Sequence, residues 1–144
     1  MAKRDNRSAY KTDPELWARE ILGLREYEEG KVFTPMQEGI CRAIVSENIV
    51  VKSGNGMGKD YLAAVLILWF LCNYKNSIVL ATAPSSRQVK KVIWGEVSKL
   101  YENSKVRLGG RLMSMELRFG PKWYGIGFTT KETNQMVGKF SGFH

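Results

Sequence analysis

The sequence predicts an α/β fold, a parallel sheet of strand–helix units extended by an antiparallel hairpin. Three observations predict it. Ile49-Val50-Val51 is a short β-branched run that feeds a glycine-rich turn and then a long apolar helix. Ser77 to Thr82 is a second apolar run, followed after Pro84 by a stripe at helical spacing. Residues 111–128 alternate apolar and polar side chains about Gly120-Pro121. Strand, helix, strand, helix with short turns is the pattern of a parallel α/β sheet.

Taken in order, residues 1–12 are polar and basic and read as a flexible arm, leaving 13–144 as one domain. Asp13-Pro14 opens a helix, since aspartate caps and proline suits the first position. Leu16, Trp17, Ile21 and Leu24 follow at helical spacing, and the charged stretch from Glu26 to Lys31 reads as a linker. A second helix is expected from Pro35 to Ser46, with Met36, Ile40, Ala43 and Ile44 on its apolar face. The next helix runs from Lys59 to Cys72. Ser85 or Ser86 caps another that reaches about Tyr101, with Val89, Ile93, Val97 and Leu100 facing inward. In the hairpin, Arg111 to Phe119 forms one strand with Met113, Met115, Leu117 and Phe119 on one side, and Tyr124, Ile126 and Phe128 lie on its partner. Trp69, Trp94 and Trp123 are assigned to packing.

Composition narrows the function classes. The chain has 144 residues, 44% hydrophobic and 25% charged, which suits one globular domain. Twenty-two Lys and Arg against 14 Asp and Glu give a formal charge of +8, which favours polyanionic partners and equally serves solubility. Cys41 and Cys72 sit in apolar helical runs without a CxxC partner, and the one histidine is His144, so a His/Cys metal site has no support. They read as buried free thiols. The longest apolar run, Tyr61 to Cys72, is 12 residues, short of the roughly 20 that span a bilayer. The basic start lacks the apolar stretch of a signal peptide, so a cytosolic protein is expected.

The strongest chemical signal is Ser53-Gly54-Asn55-Gly56-Met57-Gly58-Lys59-Asp60, between the first strand and the apolar helix. Such a turn lets backbone N–H groups converge on an anion at a helix N-terminus, where the dipole is positive. Glycines permit close approach and positive φ. Lys59 then neutralises the β- and γ-phosphates, as in the pattern G-x-x-x-x-G-K-[ST]. Ser53 replaces the first glycine of that pattern, and Asp60 replaces the hydroxyl that ordinarily ligates Mg²⁺. Asp60 is a hard oxygen ligand, and the expectation is that it helps hold the metal of Mg-ATP.

At this turn the chain resembles the tailed-phage terminase large subunits, whose variant Walker A segment commonly places serine before the glycines. Neighbouring segments agree with the resemblance. Phe33-Thr34-Pro35-Met36-Gln37 lies where these motors and related helicases place a glutamine that reads adenine, which assigns that role to Gln37. A glutamine amide both donates and accepts at one edge, as adenine requires. Phe33 is expected to pack in the core. Ala81 to Val89 resembles the segment after the second strand that faces DNA in helicases, and Arg87, Lys90 and Lys91 share one helical face there. That face serves equally as a solvated surface. Gly138 to His144 resembles the lead-in to a Walker B strand.

The resemblance implies a three-layer P-loop NTPase fold of the RecA or ASCE kind, incomplete in this chain, with the 111–129 hairpin added. It implies ATP and Mg²⁺ as cofactors, and a motor that couples ATP hydrolysis to movement of double-stranded viral DNA into a capsid. The implied partners are that DNA, a portal protein, a small terminase subunit and further copies in a ring, with no membrane, in the cytoplasm of a bacterial host. An aliphatic strand closing in Asp-Glu and a nuclease domain are expected beyond His144, so the chain by itself is expected to bind nucleotide weakly and turn it over hardly at all. A helicase-like ATPase fragment and a non-catalytic prophage remnant that keeps the pocket are the competing readings.

Overall fold

The computed structural model describes residues 7–45 and 58–129. The expected first strand, most of the glycine-rich turn and the 138–144 segment lie outside these residues. The fold is α/β, with a mixed four-stranded sheet in the order β1-β4-β3-β2. The strands are β1 (Ile78–Ala83), β2 (Arg111–Met113), β3 (Glu116–Gly120) and β4 (Trp123–Thr129). β1 and β4 run parallel, with Val79 opposite Gly125 and Ala81 opposite Gly127, while β4–β3 and β3–β2 are antiparallel.

Helices form where the caps direct. Helix α1 (Arg7–Tyr10) is short, and α2 (Pro14–Trp17) starts on Asp13, whose side chain accepts the Leu16 N–H. Residues 7–12, expected to belong to a loose arm, are instead docked. Trp69 Nε1 donates to the Tyr10 carbonyl at 2.6 Å and the Tyr74 hydroxyl donates to the Lys11 carbonyl at 2.7 Å. Helix α2 continues into a wide π-helical turn, Ala18–Leu22, closed by Gly23 at φ +73°. Helix α3 spans Pro35–Ile44 and α4 spans Lys59–Asn73. A second π-helical turn, Gln88–Ile93, leads into α5 (Trp94–Glu102). Ser85 Oγ accepts the Gln88 N–H at 3.2 Å, the cap expected at that serine.

The two wide turns correct the expected stripes. An i→i+5 turn holds one residue more than an α-turn, so the inward position moves along the chain by one. Leu22 is therefore buried more fully than Ile21, and Trp94 more fully than Ile93, while both isoleucines stay partly buried against the same core. The hairpin is corrected as well. The stretch read as one strand, 111–119, turns back at Ser114-Met115, giving β2 and β3. Leu112 pairs with Leu117 on the core side, while Met113 points outward and is 36% exposed. On α3 the buried residues are Gln37 and Cys41, and the expected apolar face is half open, with Met36 and Ile44 exposed. Phe33, Trp69 and Trp94 are buried, as packing residues should be, and Trp123 donates its Nε1–H to the Leu71 carbonyl at 2.8 Å.

Helix α4 is apolar all round, which suits a helix enclosed by other elements. Its buried side chains include Leu62, Val65, Leu68 and Leu71. It packs with α5 on the side of the sheet where β4 carries Gly125 and Gly127. Leu71 and Ile67 approach Gly125, and the Trp94 indole and Val89 lie against Gly127. A Cβ at 127 would overlap the indole. Gly127→Ala is therefore expected to cost about 1–3 kcal/mol in urea unfolding, as overpacking does. Gly39, interior to α3 with nothing within 4 Å of a Cβ, provides the contrast, and Gly39→Ala is expected to gain about 0.5–1 kcal/mol. Equal effects at both positions would contradict the packing described.

Candidate functional site

The described end of the glycine-rich turn is Gly58, at φ +77° and ψ 10°, in the left-handed region that glycine adopts without strain. It is the N-cap of α4. Its carbonyl accepts the Leu62 N–H at 3.0 Å, which begins the helical ladder. The N–H groups of the first turn precede that bond and lie outside the ladder of α4. Gly58 carries no side chain to cap them. Lys59 thus opens the first turn, at the positive end of a 15-residue helix. Lys59 and Asp60 are both half-buried. Among the residues singled out in the sequence, Ser53, Gly54, Asn55, Gly56 and Met57 lie outside the described residues.

Gln37 comes to the same place from 21 residues upstream. Its Nε2 donates to the Gly58 carbonyl at 3.4 Å. Its Oε1 accepts the Thr34 N–H at 2.9 Å, while Thr34 Oγ1 accepts the Gln37 N–H at 3.3 Å. This is a capping box, and it holds Gln37 at 7% exposure with its amide against the turn. The structure therefore brings Gln37, Gly58, Lys59 and Asp60 into one neighbourhood. One N–H and one oxygen lone pair of the Gln37 amide remain beyond these bonds. Thr34 was not singled out as a site residue, although Thr34-Pro35-Met36-Gln37 carries the T-x-x-Q signature of a capping box. A Cβ at Gly58 would stand 2.9 Å from Gln37 Nε2, so glycine is required there for contact as well as for φ.

The donor set fits a phosphate group, because amides and an ammonium group are the chemistry an anion needs. For a divalent cation the turn offers the Asp60 carboxylate. Among the described residues no group of three or more His, Cys, Asp or Glu side chains is placed to hold a metal. Arg87, Lys90 and Lys91 are exposed at the start of the second wide turn, just after β1. No helix of the described residues is long and apolar enough to cross a membrane.

A separate cleft of about 390 Å³ lies between α2 and α3, lined by Asp13, Glu15, Arg19, Glu38, Cys41 and Arg42 among others. Burial raises the Glu15 carboxyl above its ordinary value, and Glu38 and Asp13 raise it further against the Val32 N–H, which lowers it. Burial also pushes the Cys41 thiol up to about 12, with Glu15, Asp13 and Glu38 adding to the effect, and burial alone does the same to Cys72. Tyr61, in the first turn of α4, is raised by burial and by Glu96.

Comparison with protein-family models, with curated proteins and with solved structures returned no match to this chain.

Two outcomes follow from this geometry. Thr34→Ala removes the side-chain acceptor of the capping box and is expected to cost about 1 kcal/mol in chemical unfolding; no loss would mean the box does not hold α3. Because both thiols ionise near 9.0 when free and near 12 when folded, their contribution to stability is complete below pH 9 and is lost as pH rises towards 12. Native chain at pH 8 is expected to resist a thiol-specific disulfide reagent and to react at once on unfolding. Rapid reaction without unfolding would contradict the burial.

Proposed function

We propose that this chain is the nucleotide-binding part of a viral DNA-packaging motor of the terminase large-subunit kind, which couples ATP hydrolysis to movement of double-stranded DNA. One observation carries the reading. The left-handed Gly58 opens α4 at Lys59, and Gln37 reaches it from a capping box on a separate helix. In sequence this turn completes Ser53-Gly54-Asn55-Gly56-Met57-Gly58-Lys59, the phosphate-binding pattern. A parallel strand pair, β1 and β4, is the kind of frame on which such turns occur.

In this reading the amides of the turn and of the first turn of α4 orient the phosphates, and the Lys59 ammonium balances their charge at the β and γ positions. Asp60 would help hold a bound Mg²⁺, which would supply further charge neutralisation. Gln37 ties α3 to the phosphate turn and presents its remaining donor and acceptor towards adenine. Arg87, Lys90 and Lys91 offer exposed cations for DNA phosphates. A portal ring, a small subunit and further copies of the chain are the partners this reading carries with it, in the cytoplasm of a bacterial host.

The test is an amide-resolved NMR titration of the full chain with Mg-ATP, which detects weak as well as tight binding. The Lys59 and Asp60 amide signals are expected to shift, and Lys59→Ala is expected to weaken binding roughly 10- to 100-fold, the worth of a charge-assisted contact. No shift at millimolar Mg-ATP would refute the reading. Asp60→Thr is expected to weaken Mg-ATP binding while sparing metal-free ATP. A sharp gain in Mg-ATP affinity would show that the carboxylate hinders the metal.

A further inference from the structure

We propose that Lys105, Arg107 and Arg111 form a docking strip for the phosphate backbone of duplex nucleic acid, at the end of the sheet opposite the Gly58–Lys59 turn. Connectivity places the strip. Helix α4 ends at Asn73 shortly before β1 begins, and α5 starts beyond the end of β1 and returns. The start of α4 therefore lies towards the carboxyl ends of the parallel strands, and the loop after α5 lies towards their amino ends. The bond from Trp123, which opens β4, to Leu71, near the end of α4, agrees with this arrangement.

Charge marks the strip. From Asn103 to Met115 the chain carries three cations and no carboxylate. All three are exposed, and among the described residues none of them makes an ion pair. Three other described cations meet acids, while Arg87, Lys90 and Lys91, beyond the carboxyl end of β1, are exposed like those of the strip. Arg19 pairs with Glu26 at 3.5 Å, Lys99 with Glu96 at 3.9 Å and Arg118 with Glu116 at 2.9 Å. Guanidinium and ammonium groups without acid partners attract a run of phosphates, which releases counterions on binding.

The backbone beneath the strip is held in place. The Lys105 and Val106 N–H groups donate to the Leu22 and Ile21 carbonyls at 3.1 and 3.0 Å. Ser104 Oγ donates to the Val106 carbonyl at 2.6 Å, and the Tyr101 hydroxyl donates to the Gly109 carbonyl at 2.7 Å. Gly109 and Gly110 take φ of +81° and +74°, and Phe119 lies so close to Gly110 that a Cβ there would meet its ring at 2.9 Å. Lys105 and Arg107 line a cleft of about 360 Å³ with Tyr101, Ser104 and Glu102, ample for a phosphate group. Glu102 is its one acid. Arg111 is exposed at the start of β2, directly after Gly109 and Gly110. Cations on a fixed backbone lose less freedom on binding than cations on a loose tail.

The experiment measures duplex DNA binding by the full chain, by fluorescence anisotropy over a range of salt concentrations. For the triple variant Lys105→Gln, Arg107→Gln, Arg111→Gln, the slope of log affinity against log salt is expected to fall by about two to three, one lost phosphate contact per cation. Affinity at low salt is expected to drop about tenfold or more, equally for unrelated DNA sequences. Mg-ATP binding is expected to be unchanged, so failure here is distinguishable from failure of the nucleotide reading. Should the triple variant not fold, acetylation of Lys105 in the unaltered chain provides the measurement, and duplex is expected to protect it several-fold. A slope and affinity matching the parent, an unprotected Lys105, or binding to anionic vesicles with none to duplex would each overturn the proposal.

Discussion

The structure depends on how closely helices can approach the centre of the sheet. On β4, Gly125 and Gly127 expose bare backbone on the side that meets α4 and α5, and Leu71, Ile67, Val89 and Trp94 fill the space their side chains would occupy. Trp94 is buried there at 1% exposure, and among the described residues its Nε1–H has no hydrogen-bond partner. An unpaired buried donor costs about 1–3 kcal/mol, so the indole is kept for the surface it covers rather than for a polar contact. With α4 fixed against this surface, the position of its first turn follows.

That first turn links fold and chemistry. The buried side chains of α4 run from Leu62 to Leu71 and anchor the helix behind its half-buried first turn. The capping box at Thr34 adds a second restraint, because it turns the Gln37 amide onto the Gly58 carbonyl. Two separate helices therefore meet at one glycine. The left-handed conformation of Gly58 and the nearness of Gln37 both exclude a larger residue there.

Much of this was legible from local chemistry. Asp13-Pro14 and Ser85 marked helix starts and serve as caps, and the helix expected from Pro35 begins there, capped by Thr34. The apolar run from Tyr61 to Cys72 read as a buried helix because no face of it is polar. Other features had no local signal. A π-helical turn leaves no mark in residue type, yet it buried Leu22 more fully than Ile21 and Trp94 more fully than Ile93. The Ser114-Met115 turn contains neither glycine nor proline, and apolar alternation runs straight through it, so one strand was expected where two occur. Parallel pairing of β4 with β1 is a tertiary choice, which the alternation of residues 123–129 does not reveal. At the site, the helix start at Lys59 was legible, whereas the burial of Gln37 depended on which face of α3 docks. Here a polar face won over Met36 and Ile44, because the capping box and the Gly58 carbonyl satisfy the amide.

The central claim is that this chain grips the phosphates of a nucleotide rather than its sugar or base alone. Thermal unfolding in the presence of saturating ATP, ADP, pyrophosphate or AMP tests it most directly, since a ligand that binds only the folded state raises the midpoint. The account predicts a clear rise with ATP, ADP and pyrophosphate, and little with AMP. A rise with AMP equal to that with ATP, or none with any of them, would contradict it.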